Sequence, residues 1–301
     1  MTLAVTGGTG FVGRRLLDLA AERGLAIRAL TRRPQSPSGK VTWIEGALDD
    51  PASLAELVRG ADAVIHIAGL ISGTRAAFEA VNIGGTQAVV DAAAAQKVRR
   101  FIHISSLSAR EPDLSDYGRS KAGSEAVVTA SALDWTIIRP PAIYGPGDRE
   151  TLELFRMARR GIVALPPRGH FSVIHVDDLC RLILDSIAAP DSYGRTYEPD
   201  DGREGGWEHR LFARTLGRAF GRSALPVSMP QPVMQVASRL ETLLRGDKAK
   251  LTADRVRYFC HPDWVVTADR RPPSALWQPA IDTRQGLADT ARWYLDQGWL
   301  R

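Results

Sequence analysis

The chain has 301 residues, 44% of them apolar, and a formal charge of +5, which supports one large domain or a core domain with a smaller lobe. The arginine pairs Arg32-Arg33, Arg99-Arg100, Arg159-Arg160 and Arg270-Arg271 are scattered, so the basic footprint needed for nucleic-acid binding is missing. Cys180 and Cys260 lie far apart, and the six histidines form neither HExxH nor a close pair, which leaves a disulfide framework and a metal site without support and makes reducing cytoplasm the expected compartment.

The first predicted strand, LAV, runs directly into TGGTGFVG (residues 6–13) and then into a helix over RRLLDLAAERG. A strand this early leaves no room for a signal peptide. Each glycine in a helix interior would cost roughly 1 kcal/mol relative to alanine, so Gly7, Gly10 and Gly13 must serve a geometry that side chains obstruct. At a first strand-to-helix junction that geometry is a dinucleotide fingerprint. The early glycines let the backbone turn and approach a pyrophosphate, the last lets the helix pack on the strand, and the helix N-terminus supplies amides.

The second strand, AIRALT, ends in Arg32 and Arg33, and no carboxylate follows until Glu45. An acid there would hold the ribose of NAD, whereas an arginine fork suits the 2′-phosphate of NADP. The expected cofactor is NADP(H), with NAD(H) left open. A polar loop with Pro34 and Pro37 leads to the strand VTWIEG and the helix PASLAELVRG, whose start is marked by Asp50 and Pro51.

The alternation continues through DAVIHIAG, the helix FEAVNIGGTQAVVDAAAAQ, the strand RRFIHISS, the helix YGRSKAGSEAVVTAS and the strand WTIIRP. Such succession predicts an α/β, doubly wound parallel Rossmann sheet. His66 and His103, inside strands, read as structural groups. The longest apolar run, AVIHIAGLI, is far shorter than the roughly 20 residues of a bilayer span, and no membrane partner is expected.

Past WTIIRPPAIYGPGD the pattern loosens. FSVIHV and the helix LCRLILDSI, capped by Asp178, are expected to return to the sheet, and the acidic pairs Asp49-Asp50, Asp177-Asp178 and Asp200-Asp201 read as caps and turns. LPVSMPQPVMQVASRLETLL and the tail from residue 272 read as a smaller lobe; the amphipathic VMQVASRLETLL is of a kind that can touch a membrane, but packing against the lobe is the commoner fate and the expected one. The expected organisation is a dinucleotide-binding domain over 1–145 and about 172–195, with a substrate-binding lobe over about 146–171 and 196–301. Proline, methionine and valine around Met229 and Met234 fit an apolar wall for a hydrophobic carbonyl substrate, and ordinary core packing explains them equally well.

Taken in order, TGGTGFVG, GALDD, ADAVIHIAG, FIHISS, YGRSK, RPPAIYGPGD, VIHVDDL and WQPAIDTRQGLADTARWYLDQGWL resemble the motif series of extended short-chain dehydrogenases/reductases. That family includes nucleotide-sugar epimerases, dehydratases and carbonyl reductases. The resemblance implies Tyr117 as proton donor or acceptor and Lys121, four residues on, as the group that binds the nicotinamide ribose and favours the tyrosinate. It implies Ser106 as hydrogen-bond donor to the substrate oxygen, with Ser105 the alternative, and a relay-water role for Asn82. Cofactor contacts would come from Gly7, Thr9, Gly10, Phe11, Val12, Gly13, Arg32, Arg33, Leu48, Ala68 and Lys121, while His175 would support the edge of the site.

Ala142 stands where the family pattern carries an asparagine, and Ala47 where it carries an acid; both depart from nucleotide-sugar enzymes more than from cofactor binding. The leading expectation is an NADP(H)-dependent oxidoreductase that moves hydride between nicotinamide and a carbonyl or secondary alcohol, with a small-molecule substrate. The alternatives are a nucleotide-sugar epimerase/dehydratase and a non-catalytic NAD(P)-binding scaffold or redox sensor. The resemblance is compatible with a homodimer.

Overall fold

A computed structural model describes residues 1–36, 39–246 and 251–300; Pro37 of the predicted loop lies outside them. The chain divides into two compact units. Unit 1 comprises residues 1–140, 179–198 and 272–277, and unit 2 comprises 141–178, 199–271 and 278–301.

Unit 1 is built in the predicted alternation: β1 (Thr2–Thr6), α1 (Phe11–Glu22), β2 (Ala26–Thr31), β3 (Val41–Glu45), α2 (Pro51–Val58), β4 (Ala63–His66), α3 (Arg75–Phe78), α4 (Gly85–Ala95), β5 (Arg100–Ile104), α5 (Asp116–Thr129) and β6 (Asp134–Ile138). Unit 2 opens with β7 (Ala142–Tyr144), α6 (Leu152–Arg160), β8 (Ile162–Leu165), β9 (His170–Phe171) and β10 (Val173–His175), followed by α7 (Val176–Ile187). β11 (Arg195–Tyr197) completes a seven-stranded sheet in unit 1, of order β11-β6-β5-β4-β1-β2-β3 and parallel throughout. The order reverses between β1 and β4, the position at which doubly wound sheets hold ligands beyond their strand ends.

β4 and β5 are buried at every residue, as strands covered on both faces require. Leu54, Leu57, Val58, Val89, Val90 and Phe101 belong to one core cluster formed by α2, α4 and the sheet. Asp50 caps α2 as expected, accepting from Ala52 N at 3.1 Å with Pro51 as the first helical residue.

Two buried guanidiniums tie the sheet to its surroundings. Arg100 on β5 donates to the carbonyls of Asp134, Ser186 and Ile187 and to the hydroxyls of Thr136 and Ser192. Its burial pulls the pKa down to about 10. Arg139, just past β6, grips both Glu125 oxygens on α5, at 2.8 and 2.6 Å, and reaches Glu198 after β11 at 3.3 Å.

Three elements differ from the sequence reading. The single helix expected after β4 is interrupted by a π-helical turn at Glu79–Gly84 between α3 and α4. Within it the Asn82 carbonyl accepts from Thr86 Oγ1 at 2.6 Å, a local bond that competes with the regular ladder. FSVIHV does not return to the large sheet. Ser172 N donates to Trp264 O, which splits the run into β9 and β10, and β10 pairs with β7. Asp178 is not a cap either, because α7 already starts at Val176; its carboxylate instead accepts the backbone amides of Ala280 and Ile281.

Unit 2 continues with β12 (Trp207–Glu208), α8 (His209–Arg218), β13 (Leu225–Ser228), α9 (Gln231–Arg245), α10 (Ala253–Phe259), β14 (Asp263–Trp264) and α11 (Thr283–Asp296). Its small sheets pair β7 with β10, β8 with β13, and β9 with β12 and β14. Tyr144, Phe155, Trp207, Phe212, Leu287 and Tyr294 fill its core. The helix from VMQVASRLETLL corrects another expectation. In α9 only Met234 and Ser238 are buried, and its large aliphatic residues face outward.

The Arg139 network makes a direct stability prediction. Replacing Arg139 by Met leaves two buried carboxylates without their counter-ion, so Arg139→Met should destabilise the fold by about 3–5 kcal/mol, read as a lowered urea midpoint. Glu125→Gln, which keeps one acceptor oxygen and leaves Arg139 its contact with Glu198, should cost less.

Candidate cofactor and catalytic site

At the end of β1 the chain turns on Gly7, whose φ of +78° is left-handed. A Cβ at Gly7 would stand 2.7 Å from Ala68 N, and one at Gly13 would stand 2.1 Å from Gly7 O. The three glycines thus have separate reasons. Gly7 lets the turn pass against the strand end that carries Ala68, and Gly13 lets α1 sit on the turn. Gly10 caps α1 without any side-chain hydrogen bond, and no acid occupies the first helical turn.

Thr9 and Gly10 are exposed while the Val12 side chain is buried, so Val12 can offer a ligand only its backbone amide. An uncapped helix start bordered by glycines, its free amides beside exposed backbone, is a cradle suited to a diphosphate. These residues fit a dinucleotide.

The floor of this corner is a directed chain of hydrogen bonds. Ala68 N donates to Thr6 Oγ1 (3.3 Å), and Thr6 Oγ1 lies 2.7 Å from His66 Nδ1. On the other side His66 Nε2 lies 3.0 Å from Thr86 Oγ1, whose own proton goes to Asn82 O. Since Thr86 has spent its proton, Nε2 carries the histidine's hydrogen and Nδ1 accepts from Thr6. Burial, with Lys121 secondary, depresses the His66 pKa to about 3, so the ring is neutral. His103 stacks on it at 5.4 Å and donates through Nε2 to Ser124 Oγ (3.0 Å), which has its own proton on Lys121 O. Both histidines are structural, as the sequence suggested, although His103 Nδ1 is left without a partner.

α5 carries the Tyr-x-x-x-Lys pair. Ser115 caps it, accepting from Gly118 N at 2.9 Å. A Cβ at Gly118 would meet Ser108 O at 2.7 Å, so the absence of a side chain lets the first turn of α5 close on the 3₁₀ turn Leu107–Arg110. That turn is capped by Ser106, and in this way the segments of Ser106 and Tyr117 pack together. Ser106 Oγ accepts from Ser108 N (3.2 Å) and Ser108 Oγ (3.0 Å), which leaves its own proton to donate outward. Ser105 is buried and bound to Glu125 Oε1. The hydroxyl committed to the fold is therefore Ser105, and the one with a proton to give is Ser106.

The Tyr117 ring lies 5.9 Å from that of Phe78 and is half-buried. Lys121, one turn on, is buried and donates from Nζ to Ile104 O at 2.7 Å, at the end of β5. Burial lowers its pKa to about 8, with Glu125 opposing the shift. Asn82, read as a relay residue, is fully used elsewhere. Its Oδ1 accepts from Leu70 N (2.7 Å), and its Nδ2 donates to Leu70 O (3.1 Å) and Ser120 Oγ (2.8 Å), clamping the loop after β4 to α5.

Arg32 and Arg33 are exposed just past β2, in a turn held by Thr31 Oγ1 donating to Arg33 O at 2.6 Å. Among the described residues neither guanidinium forms an ion pair. Leu48 packs on Gly85, where a Cβ would meet Leu48 Cδ1 at 2.7 Å. His175 lies in unit 2, edge-on to Tyr144 at 5.2 Å. Thr6 opens TGGTGFVG and Arg139 opens RPPAIYGPGD, though the resemblance gives neither a role, and no motif announced Thr86, Ser124, Glu125 or Glu198. Their only sequence signal is polarity inside otherwise apolar strands and on an inward helix face. Among the described residues, no group of three or more potential metal ligands gathers, and no helix is long and apolar enough to cross a membrane.

Glycine turn, uncapped helix and switch point together define a dinucleotide-binding α/β protein, and the comparisons make the class specific. Residues 7–186 match the family described as NAD(P)H-binding, and the chain belongs to it. It is 35% identical to ceramide reductase of Caulobacter vibrioides, over 99% of this chain and 96% of that protein. It is 28% identical to the 4-hydroxy-2-methyl-3-oxo-4-farnesyl-3,4-dihydroquinoline-1-oxide ketoreductase of Stigmatella aurantiaca, over 95% of each. In fold it is similar to MoeE5 in complex with UDP-glucose and NAD, with a TM-score of 0.75, 22% identity, and 98% and 99% of the two chains covered. The chain is an NAD(P)-dependent oxidoreductase whose motif series resembles that of extended short-chain dehydrogenases/reductases.

The buried amine gives a pH-dependent prediction for the cofactor-free protein. Because the folded-state pKa lies below the unfolded value, Lys121 lowers stability fully below about pH 8, and the penalty disappears as pH rises toward the unfolded pKa of roughly 10.4. The stability of Lys121→Met relative to wild type should therefore be higher at pH 7 than at pH 10.5, measured by urea unfolding at each pH. Equal differences at both values would place the Lys121 pKa near its ordinary value.

Proposed function

We propose that the protein is an NADP(H)-dependent reductase of a lipid-like carbonyl compound, working reversibly on the corresponding secondary alcohol. The observation that carries the reading is the closure of α5 on the Ser106 turn at Gly118, with Lys121 buried one turn beyond Tyr117. Substrate class rests on the similarity to a ceramide reductase and to a farnesyl-bearing quinoline ketoreductase. Substrate recognition is assigned to unit 2.

Bound nicotinamide supplies the hydride. The amides of residues 10–13 hold the diphosphate, and the Arg32 and Arg33 guanidiniums hold the 2′-phosphate through charge-assisted hydrogen bonds. Leu48 and Ala68 give apolar contact. Lys121 binds the ribose hydroxyls and, as an ammonium, lowers the cost of charge on the Tyr117 oxygen, whose unperturbed pKa near 10 would otherwise disfavour proton transfer at neutral pH. Ser106 donates its free proton as a hydrogen bond to the substrate carbonyl oxygen, and Tyr117 Oη delivers a proton to that same oxygen as the alkoxide develops.

Turnover is tested by following NADPH consumption with long-chain ketones. Tyr117→Phe should lower kcat by about 10²-fold or more while NADPH binding, read by fluorescence titration, stays within about twofold of wild type. Full activity in that variant would remove Tyr117 from the reaction.

Cofactor choice is tested separately. Arg32→Ala with Arg33→Ala should weaken NADPH by about 10- to 100-fold and leave NADH nearly unchanged, since only NADPH carries the extra phosphate. Equal NADPH and NADH dissociation constants in the wild type would defeat the NADP(H) assignment.

A further inference from the structure

No residue named in the proposed chemistry falls within 209–240, thirty-two positions with five arginines and no carboxylate. Arg214, Arg218 and Arg222, with Gly221 and Ser223, line a cleft of about 410 Å³. Arg222 donates to the Arg159 carbonyl, which brings Arg159 and Arg160 to the same corner. Among the described residues none of Arg159, Arg160, Arg210, Arg214, Arg218 and Arg222 pairs with an acid, and Arg159 Nη1 and Arg210 Nε are buried without a partner. So much uncompensated like charge is a site waiting for anions.

The next residues are apolar and exposed. Leu225 and Val227 alternate with buried Pro226 along β13, and Leu225 is in register with Ile162 of β8, so all three share one face. β13 leads into α9, where Val233, Val236, Leu240, Leu243 and Leu244 recur at intervals that draw a single stripe along the helix. Leu243 and Leu244 are 82% and 83% exposed. The opposite face rests on α10, with Met234 Sδ 3.8 Å from Cys260 Sγ.

We propose that residues 209–245 are a docking surface for an anionic lipid bilayer, the arginines meeting headgroup phosphates and the aliphatic stripe entering the acyl boundary. Two observations favour a bilayer over a protein. The exposed large residues of the stretch are all leucine and valine, without the exposed aromatic anchors that dominate protein interfaces. A second copy is disfavoured by charge, because a two-fold interface would set the same uncompensated arginines near themselves. The sequence expectation of no membrane partner takes VMQVASRLETLL as packed against the lobe; the exposure of its aliphatic stripe is the observation that reopens the question, for a surface that lies on the bilayer without crossing it.

The test is sedimentation of the whole protein with vesicles of equal parts phosphatidylglycerol and phosphatidylcholine, and with phosphatidylcholine alone. Binding should be strong to the first, about tenfold or more weaker to the second, and weakened by salt. Leu243→Ser with Leu244→Ser, both already in solvent, should keep the thermal midpoint and weaken binding about tenfold or more. Arg214→Gln and Arg218→Gln should each weaken it about fivefold, and they carry the test if the leucine variant does not fold. No wild-type sedimentation with the anionic vesicles, or unchanged binding in the variants, overturns the proposal. So does a wild-type dimer that the leucine variant converts to monomer, which would assign the surface to a second copy. The readout is independent of turnover, so it stands or fails apart from the reductase reading.

Discussion

The carboxylate of Glu125 is the point on which the half of unit 1 that carries the candidate site is hung. It is buried on the inner face of α5, takes two hydrogen bonds from Arg139, and takes a third from Ser105. A carboxylate away from water must be paired, and here each partner belongs to the end of a different strand: Ser105 follows β5 and Arg139 follows β6. The helix bearing Tyr117 and Lys121 is consequently fixed in height against the sheet. One turn before Glu125, Lys121 donates to the last carbonyl of β5, which adds a second anchor of opposite charge on the same helix. The two buried charges support each other, since Glu125 opposes the loss of proton that burial imposes on Lys121.

This arrangement also explains the division of labour between the paired serines. Consecutive residues at a strand end point in opposite senses, so only one of them can turn inward to Glu125. Ser105 does so, and Ser106 is left to cap the following turn with a proton to spare. The same economy runs beneath the glycine corner, where Thr6, His66 and Thr86 are spent on holding strands and the loop after β4. Neutral histidines in that layer bring no positive charge of their own to compete with Lys121.

Much of this was legible in the sequence because local chemistry and tertiary role coincide. Gly7 is required by its own left-handed turn, Gly13 by contact with Gly7 and Gly8 a few residues back, and Asp50-Pro51 is a cap at its own helix. Strand alternation carried the parallel sheet for the same reason. Where tertiary partners decided, the reading failed. FSVIHV has the pattern of one strand, yet Ser172 is drawn to Trp264 and Asp200, and the run divides between two small sheets. Asp178 precedes a helix-like run, but α7 begins two residues earlier and its carboxylate serves amides a hundred positions downstream. Asn82 looked like a site residue and is a clamp whose three bonds all go to Leu70 and Ser120.

The helix α9 shows the converse limit. Its periodicity is that of a buried amphipathic helix, and periodicity reports only that one face differs from the other, never what covers it. The burial of Met234 and Ser238 shows that α10 meets the narrower, less apolar side of the helix. Leucines in water are tolerated singly, but five large aliphatic residues in one stripe, preceded by arginines that pair with no acid among the described residues, cost both solvation and electrostatic free energy in the isolated chain. A phase that is apolar inside and anionic at its boundary relieves both costs at once. A substrate of lipid character would be concentrated in that same phase, so the physical reason for the surface and the proposed chemistry of the protein point toward one environment.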